Sequence, residues 1–332
     1  MKATPPVLLL TRADVAAALS LDDCIAAVES AFAAHARGES LAPGLLHGDG
    51  IDGEFHIKAG GLRVPRPVFA TKINGGFFQN PARHDLPAIQ GLIVLQDATN
   101  GVPLAVMESG LITRLRTGAA TAVAAKHLAR PDAGVLTLCG AGVQAETQLR
   151  AIARVRPLRA VHVWSRHPAK AEAFAAAMAA ALRLPVIAAS NLGAATRASD
   201  LIVTCTPARH WFLGREHVAP GTFIAAVGAD SPGKQEIEPA LVAASTVVCD
   251  LVDQCAEVGD LHHALAAGLA TRAEVRAELG EIVAGLKPGR RSADEIVLFD
   301  STGTALQDAA AALVAYERAV ARGLGTRCAF WG

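Results

Sequence analysis

Apolar positions recur along the chain at two different spacings, and the rhythm changes near Pro131. Before it, Ser20 followed by Asp22 and Asp23 reads as a helix start, and Cys24–His35 carries apolar residues at helical spacing. Short strand-like runs at Glu54–Ala59, Val68–Ile73, Ile89–Gln96 and Val102–Glu108 follow. The last two flank Asp97-Ala98-Thr99-Asn100-Gly101, and Asn-Gly between apolar runs predicts a hairpin. Helical periodicity returns over Ile112–Leu128, with Thr113 as the candidate cap.

After Pro131, runs at Val135–Cys139, Ala160–Trp164, Leu201–Thr206, Thr222–Val227 and Thr246–Cys249 alternate with helical stretches, and Ile296–Phe299 adds one more strand. That alternation predicts a parallel sheet with crossover helices. Thr304–Arg322 is a long amphipathic helix, expected to dock back on the first domain. The expected organisation is α/β, a doubly wound domain over 119–303 inserted into a discontinuous α+β domain made of 1–118 and 304–332.

Composition narrows the class. A chain of 332 residues is long enough for two domains, and 52% hydrophobic content with 30 glycines suits a large core built on tight turns. Basic and acidic residues balance at 31 each, which argues against a nucleic-acid or membrane-surface binder. Six cysteines form no CxxC pair, and Cys139, Cys205 and Cys249 sit in apolar runs where cysteine acts as a small buried hydrophobe. No apolar run is long enough to span a membrane, and no signal-peptide pattern opens the chain, so the cytoplasm is expected. His262-His263 lacks a partner at ligand spacing, and no metal is expected.

The most informative turn is Gly140-Ala141-Gly142-Val143-Gln144-Ala145, which follows the strand Val135–Cys139 directly and precedes a helix expected from about Glu146 to Val155. Gly140 permits a tight turn, Gly142 lets backbone approach a pyrophosphate, and Ala145 replaces the third glycine where helix and strand pack. The helix N-terminus supplies free N–H groups to phosphates. A Rossmann-type dinucleotide domain is therefore expected. The next strand ends in Trp164-Ser165-Arg166-His167, with no acidic residue to hold a ribose 2′-hydroxyl. Ser165 and Arg166 there favour a 2′-phosphate, so NADP(H) is expected ahead of NAD(H).

Three other segments set polar residues inside apolar sequence: Thr71-Lys72-Ile73-Asn74, Thr113-Arg114-Leu115-Arg116-Thr117-Gly118, and Val227-Gly228-Ala229-Asp230-Ser231-Pro232-Gly233-Lys234-Gln235-Glu236. With Gly140–Ala145 and Phe299-Asp300-Ser301-Thr302-Gly303, they resemble the ornithine cyclodeaminase/mu-crystallin family, in order and over nearly the whole chain. The resemblance implies a Rossmann domain joined to a discontinuous domain that binds substrate and forms a homodimer. It implies that Lys72 and Arg116 grip a substrate carboxylate, that Arg116 also touches the cofactor, and that Asp230 is the acid/base carboxylate. It further implies cofactor contacts at Val143, Gln144, Ser165, Thr206, Lys234 and Ser301, with Thr302 near the substrate, and these join Gly140, Gly142, Arg166 and Val227 as candidate cofactor positions.

The sequence also departs from that family. Many members carry an arginine after an early proline, whereas here the stretch reads Ala42-Pro43-Gly44-Leu45-Leu46-His47. Lys58 or His56 are the candidates to replace that grip, and His47, His56 and His84 are further candidates to face the pocket. The retained Asp230 separates the chain from the mu-crystallin branch, and its motifs look closest to the alanine dehydrogenase branch. The expected activity is a nicotinamide-dependent amino-acid dehydrogenase or cyclic-imine reductase, acting on a small α-amino or α-imino acid. A cyclodeaminase that recycles its hydride, or a ligand-binding protein without catalysis, are the alternatives.

Overall fold

The computed structural model describes residues 5–330. The chain divides into two compact units, Met1–Arg116 with Thr304–Gly332, and Thr117–Gly303. The first unit contains strands β1 (Val7–Leu10), β2 (Ser40–Asp49), β3 (Glu54–Leu62), β4 (Val68–Gly76), β5 (Ile89–Asp97) and β6 (Pro103–Glu108). With a final strand, Thr326–Cys328, they form one mixed sheet in the order Thr326–Cys328, β1, β6, β5, β4, β3, β2. The β5–β6 hairpin forms at the Asn100-Gly101 turn, where Gly101 takes φ 75. The sheet is wider than the four expected strands. β2 contains Pro43, Gly44 and Gly48, which mask a strand signal, and its register shifts between Leu41 and Gly44 to accommodate them.

Two long helices cover one face of this sheet. Helix Leu21–Ala36 starts at Ser20, whose Oγ accepts from Asp23 N at 3.2 Å in a reciprocal capping box. The C-terminal helix Ala305–Arg322 packs against it and against β3 and β4, as its amphipathic pattern required. Leu306 and Ala310 meet Ala31, Ala34 and Leu62 in one apolar cluster, and Arg318 Nη2 reaches Asp23 Oδ1 at 2.6 Å. Close approach is enforced at Gly60, where a Cβ would lie 3.0 Å from the Ala305 Cβ.

Helix Ser109–Leu128 begins three residues earlier than its apolar periodicity suggested. Glu108 provides the cap: Oε1 accepts from Gly110 N at 2.8 Å and Oε2 from Leu111 N at 3.0 Å. Thr113 is therefore not the cap. It lies inside the helix and accepts from Asn74 Nδ2 at 3.2 Å, while Ser109 Oγ donates to Asn74 Oδ1 at 2.5 Å. Asn74 thus ties this helix to β4. The same shift puts Arg116 about two turns inside the helix, beyond the first turn where the dipole attracts anions.

The second unit holds eight parallel strands: β7 (Val135–Cys139), β8 (Ala160–Trp164), β9 (Val186–Ala188), β10 (Leu201–Thr204), β11 (Phe223–Ala226), β12 (Thr246–Cys249), β13 (Ala277–Glu278) and β14 (Val297–Asp300). Their order is β13, β12, β14, β11, β10, β7, β8, β9, a Rossmann-like doubly wound sheet. Its central strands are apolar runs buried on both faces, as a helix-covered parallel sheet requires. The winding reverses between β7 and β10, so the crevice expected for ligands lies at their carboxyl ends. No helix among the described residues is long and apolar enough to cross a membrane.

Leu138 is fully buried in the middle of β7. Leu138→Ala should cost about 2–5 kcal/mol through lost transfer energy and a residual cavity. A urea midpoint shifted by less than about 1 kcal/mol equivalent would show that the sheet core collapses around the gap.

Candidate active site

In the first unit the buried charged residues, among those described, are Lys58, Lys72, Arg116 and Asp308. Lys58 on β3 and Lys72 on β4 are direct partners across the ladder, so both side chains leave the same face. That is the face on which the C-terminal helix packs, and it brings Asp308 to them. Lys72 Nζ lies 2.6 Å from Asp308 Oδ2, and Arg116 Nε lies 3.2 Å from Asp308 Oδ1. Arg116 Nη1 also donates to Gln307 Oε1 at 3.0 Å. Consecutive residues of one helix therefore clasp the guanidinium.

The electrostatics of this cluster are lopsided. Burial pulls the Lys72 ammonium down to about 7, the Asp308 carboxylate resists that, and the cations Arg116 and Lys58 add to it. Burial also works against the Asp308 carboxylate, but Lys72, Arg116 and Lys58 outweigh it and hold the group below the usual carboxylate range. Three cations face one anion in a dry setting. Such a set of buried cations around one carboxylate provides hydrogen-bond donors of the kind that a carboxylate anion accepts.

In the second unit, the turn after β7 has the form a pyrophosphate needs. Gly140 takes φ 129, and a Cβ there would sit 3.0 Å from Cys205 Sγ. Gly142 is the N-cap of helix Val143–Val155, with no side-chain cap, and a Cβ on it would meet nothing within 4 Å. The helix N-terminus therefore opens onto free space, and Val143 stands 63% exposed beside it. Ala145 is fully buried where the motif's third glycine would allow close packing. The residues present fit a dinucleotide: free helix N–H groups, an open cradle and the switch-point crevice.

Other expected cofactor positions fall at the carboxyl ends of these strands. Ser165 and the exposed Arg166 follow β8, and Ser165 Oγ accepts from His167 N at 3.2 Å. Thr206 lies just beyond β10, Val227 just beyond β11 and Ser301 just beyond β14. Asp230 and Lys234 form an ion pair at 2.7 Å, with the Asp230 side chain 42% exposed and Lys234 buried. Gln144 is half-buried, with Oε1 lacking a hydrogen-bond partner. Thr302 is buried and fixed: its hydroxyl donates to Asp250 Oδ1 at 3.0 Å and accepts from Gln254 Nε2 at 2.7 Å.

The profile of the ornithine cyclodeaminase/mu-crystallin family matches residues 7–323. The chain belongs to this family. It is similar to the iminosuccinate reductase of Paracoccus denitrificans, 37% identical over 321 residues, covering 96% of this chain and 98% of that one. Among solved structures it superposes on an archaeal alanine dehydrogenase dimer with bound NAD at TM-score 0.93, with 34% identity and coverage of 98% and 99%. The Δ1-pyrroline-2-carboxylate reductase of Thermococcus litoralis, in complex with NADH and L-proline, gives TM-score 0.91, 33% identity and coverage of 96% and 99%.

Within this family member, several buried carboxylates escaped sequence reasoning. Asp308 lies in a helix read only for its amphipathic pattern. Glu236 lies at the end of the polar Val227–Glu236 segment. Its Oε1 accepts from Thr206 N at 2.6 Å and Thr206 Oγ1 at 2.7 Å, and its Oε2 from Gly228 N at 2.8 Å. It therefore pins the loops after β10 and β11 together. Burial, with help from Asp260, pushes Glu236 up to about 7. The only advance signal for these groups was an acidic residue inside an otherwise apolar stretch.

Lys72 gives a directional pH test. Its ammonium is charged below about 7 and increasingly neutral above it. Affinity for a small 2-oxo carboxylate such as pyruvate should fall as pH rises through that value, with proton uptake on binding above it. Lys72→Arg, charged throughout, should flatten the profile. Calorimetry across pH measures both, and a pH-independent wild-type affinity would exclude Lys72 as the titrating grip.

Proposed function

We propose that this protein is a nicotinamide-dependent oxidoreductase acting on the C–N bond of a small α-amino acid or α-imino acid. The observation that carries the reading is the buried pairing of Lys72 and Arg116 on Asp308, with Lys58 alongside. The named activities of its relatives support the reaction class. When bound, the nicotinamide exchanges a hydride with the substrate α-carbon. Lys72 and Arg116 hold the substrate carboxylate and so fix the orientation of that carbon, a contribution made by positioning. Asp230 accepts the proton from the substrate nitrogen, or returns it in the reductive direction. Gly140, Gly142, Val143 and Gln144 hold the pyrophosphate, Ser165 and Arg166 the adenosine ribose, and Thr206, Val227, Lys234 and Ser301 the remainder, with Arg116 touching the nicotinamide end and Thr302 near the substrate.

The activity test is a panel of 2-oxo acids with ammonia or amines, and of cyclic imino acids, followed by loss of NADPH absorbance. Turnover of at least one member is expected. Consumption of a diamino acid without net absorbance change would instead make the chain a cyclodeaminase. Asp230→Asn, which keeps the shape but cannot accept the proton, should lower turnover by about 10²–10⁴ while cofactor affinity stays nearly intact. More than half the activity retained would make Asp230 a turn residue.

NADP(H) is the proposed cofactor, supported by the exposed Arg166 and the lack of an acidic residue in Trp164-Ser165-Arg166-His167. Fluorescence titration should show NADPH binding more tightly than NADH, and Arg166→Asp should reverse the order. Equal affinities in the unaltered protein would overturn this choice. We also assign the chain to the cytoplasm, where its six free thiols stay reduced.

A homodimer through the first unit completes the reading. Leu46, Ile57, Ile73 and Leu92 lie side by side in register across β2, β3, β4 and β5. They occupy the face opposite Lys72, and Leu46, Ile73 and Leu92 are 62%, 46% and 53% exposed. Such an apolar row is a liability on a monomer, and a two-fold copy of the same surface covers it. The archaeal alanine dehydrogenase, which this chain resembles, is a dimer. Sedimentation at micromolar concentration should give a dimer, and Ile73→Asp with Leu92→Asp a monomer. A wild-type monomer with full activity would refute the interface.

A further inference from the structure

One cluster of chemically active side chains lies outside the Lys72–Arg116–Asp308 group and has no part in the reaction proposed above. His47 on β2 and His56 on β3 are direct partners across an antiparallel ladder. Glu54, two residues before His56, leaves the same face of the sheet. His56 Nε2 lies 3.2 Å from Glu54 Oε1, and His47 Nε2 lies 4.0 Å from Glu54 Oε2. The two imidazoles stand edge to face with centroids 4.8 Å apart. One ligand atom from each residue lies within 4.8 Å of the others. Asp49, opposite Glu54 in register, brings a fourth oxygen to 3.7 Å from His47 Nε2 on a 97% exposed side chain.

These distances suit a bound cation. Nitrogen and oxygen ligands bind Zn(II)-like ions at about 2.0–2.2 Å, which sets tetrahedral ligand atoms about 3.3 Å apart. Glu54 and His56 already stand at that separation, and their side chains are only 14% and 12% exposed. His47 Nε2 stands farther off, at 4.0 Å from Glu54 Oε2, and reaches the same separation by a side-chain adjustment on a strand whose pairing with β3 is set at His47–His56. Its Nδ1 is buried without a hydrogen-bond partner, so no bond from that nitrogen fixes the ring. Two imidazoles with carboxylate select borderline first-row ions over Mg(II) or Ca(II), which prefer oxygen alone.

We propose that His47, Glu54 and His56 form a binding site for one borderline divalent cation of the Zn(II) class, with the fourth position taken by Asp49 or water. Eight residues separate His47 from His56 in sequence, and only the β2–β3 pairing makes them ligands of one centre. The proposal does not depend on the proposed reaction, because binding is measured without substrate.

The full chain, stripped with chelator, is titrated with Zn(II) by calorimetry and with Co(II) by visible absorption. One equivalent per chain is expected, with the d–d bands of a low-coordinate nitrogen–oxygen site. His47→Gln, His56→Gln and Glu54→Gln should each weaken binding by at least about 10-fold, since even loss of an outer-shell partner costs that much. The double variant His47→Gln/His56→Gln should abolish it, with circular dichroism verifying its fold. His210→Gln, an exposed histidine of the second unit, should leave binding unchanged. No saturable uptake by the folded wild-type chain, or uptake that survives the double variant, would overturn the site and leave Glu54–His56 as an ion pair.

Discussion

Asp308 is the group on which the chemistry of the first unit depends. Without it, Lys72 and Arg116 would be uncompensated cations in a dry interior, a situation proteins rarely tolerate. Its position follows from the packing of the C-terminal helix, whose apolar side is fixed against helix Leu21–Ala36 and the β3–β4 face. Close approach at Gly60 and the Leu306–Ala310 contacts set the depth at which Gln307 and Asp308 meet the strand lysines. From the other side, Asn74 holds helix Ser109–Leu128 to β4 through Thr113 and Ser109, which sets where Arg116 enters. Packing, hydrogen bonding and charge therefore converge on one carboxylate.

The second unit uses buried carboxylates in a different way, as backbone acceptors rather than as counter-ions. Asp260 Oδ1 accepts from Glu236 N and Ile237 N, both at 2.9 Å, and Asp300 Oδ2 accepts from Leu261 N at 2.8 Å. Asp250 Oδ2 takes Gly303 N at 2.6 Å. Burial raises all three carboxyls above their ordinary range. These bonds, with those of Glu236, fix the loops that follow β10, β11 and β14. A parallel sheet presents its ligand crevice on such loops, so their rigidity decides whether a cofactor meets a preformed surface.

Much of this was legible from residues. The Gly140–Ala145 turn could be read because backbone geometry near a phosphate admits few side chains, and the structure bears out both the strand before it and the helix after it. The capping of Ser20 and the Asn100-Gly101 hairpin were local matters, settled by residues close in sequence. Most of what was missed depends on long-range pairing. β2 hid behind a proline and two glycines, and Asp308 looked like an ordinary polar position of an amphipathic helix. Its partner Lys72 lies more than two hundred residues earlier, and no periodicity links them. The helix start at Ser109 was missed because Glu108, rather than a serine or threonine, supplies the cap. Lys58 was noticed only as a replacement for a missing arginine, whereas the ladder sets it opposite Lys72.

Asp308 is the counter-charge to the buried Lys72 and Arg116. Equilibrium unfolding of Asp308→Asn in urea reads this out, because the amide keeps the volume while removing the charge and one of the two acceptor oxygens. A loss of about 3–5 kcal/mol is expected, the range for breaking a buried ion pair from one side. An Asp308→Asn midpoint equal to that of the wild type would contradict it.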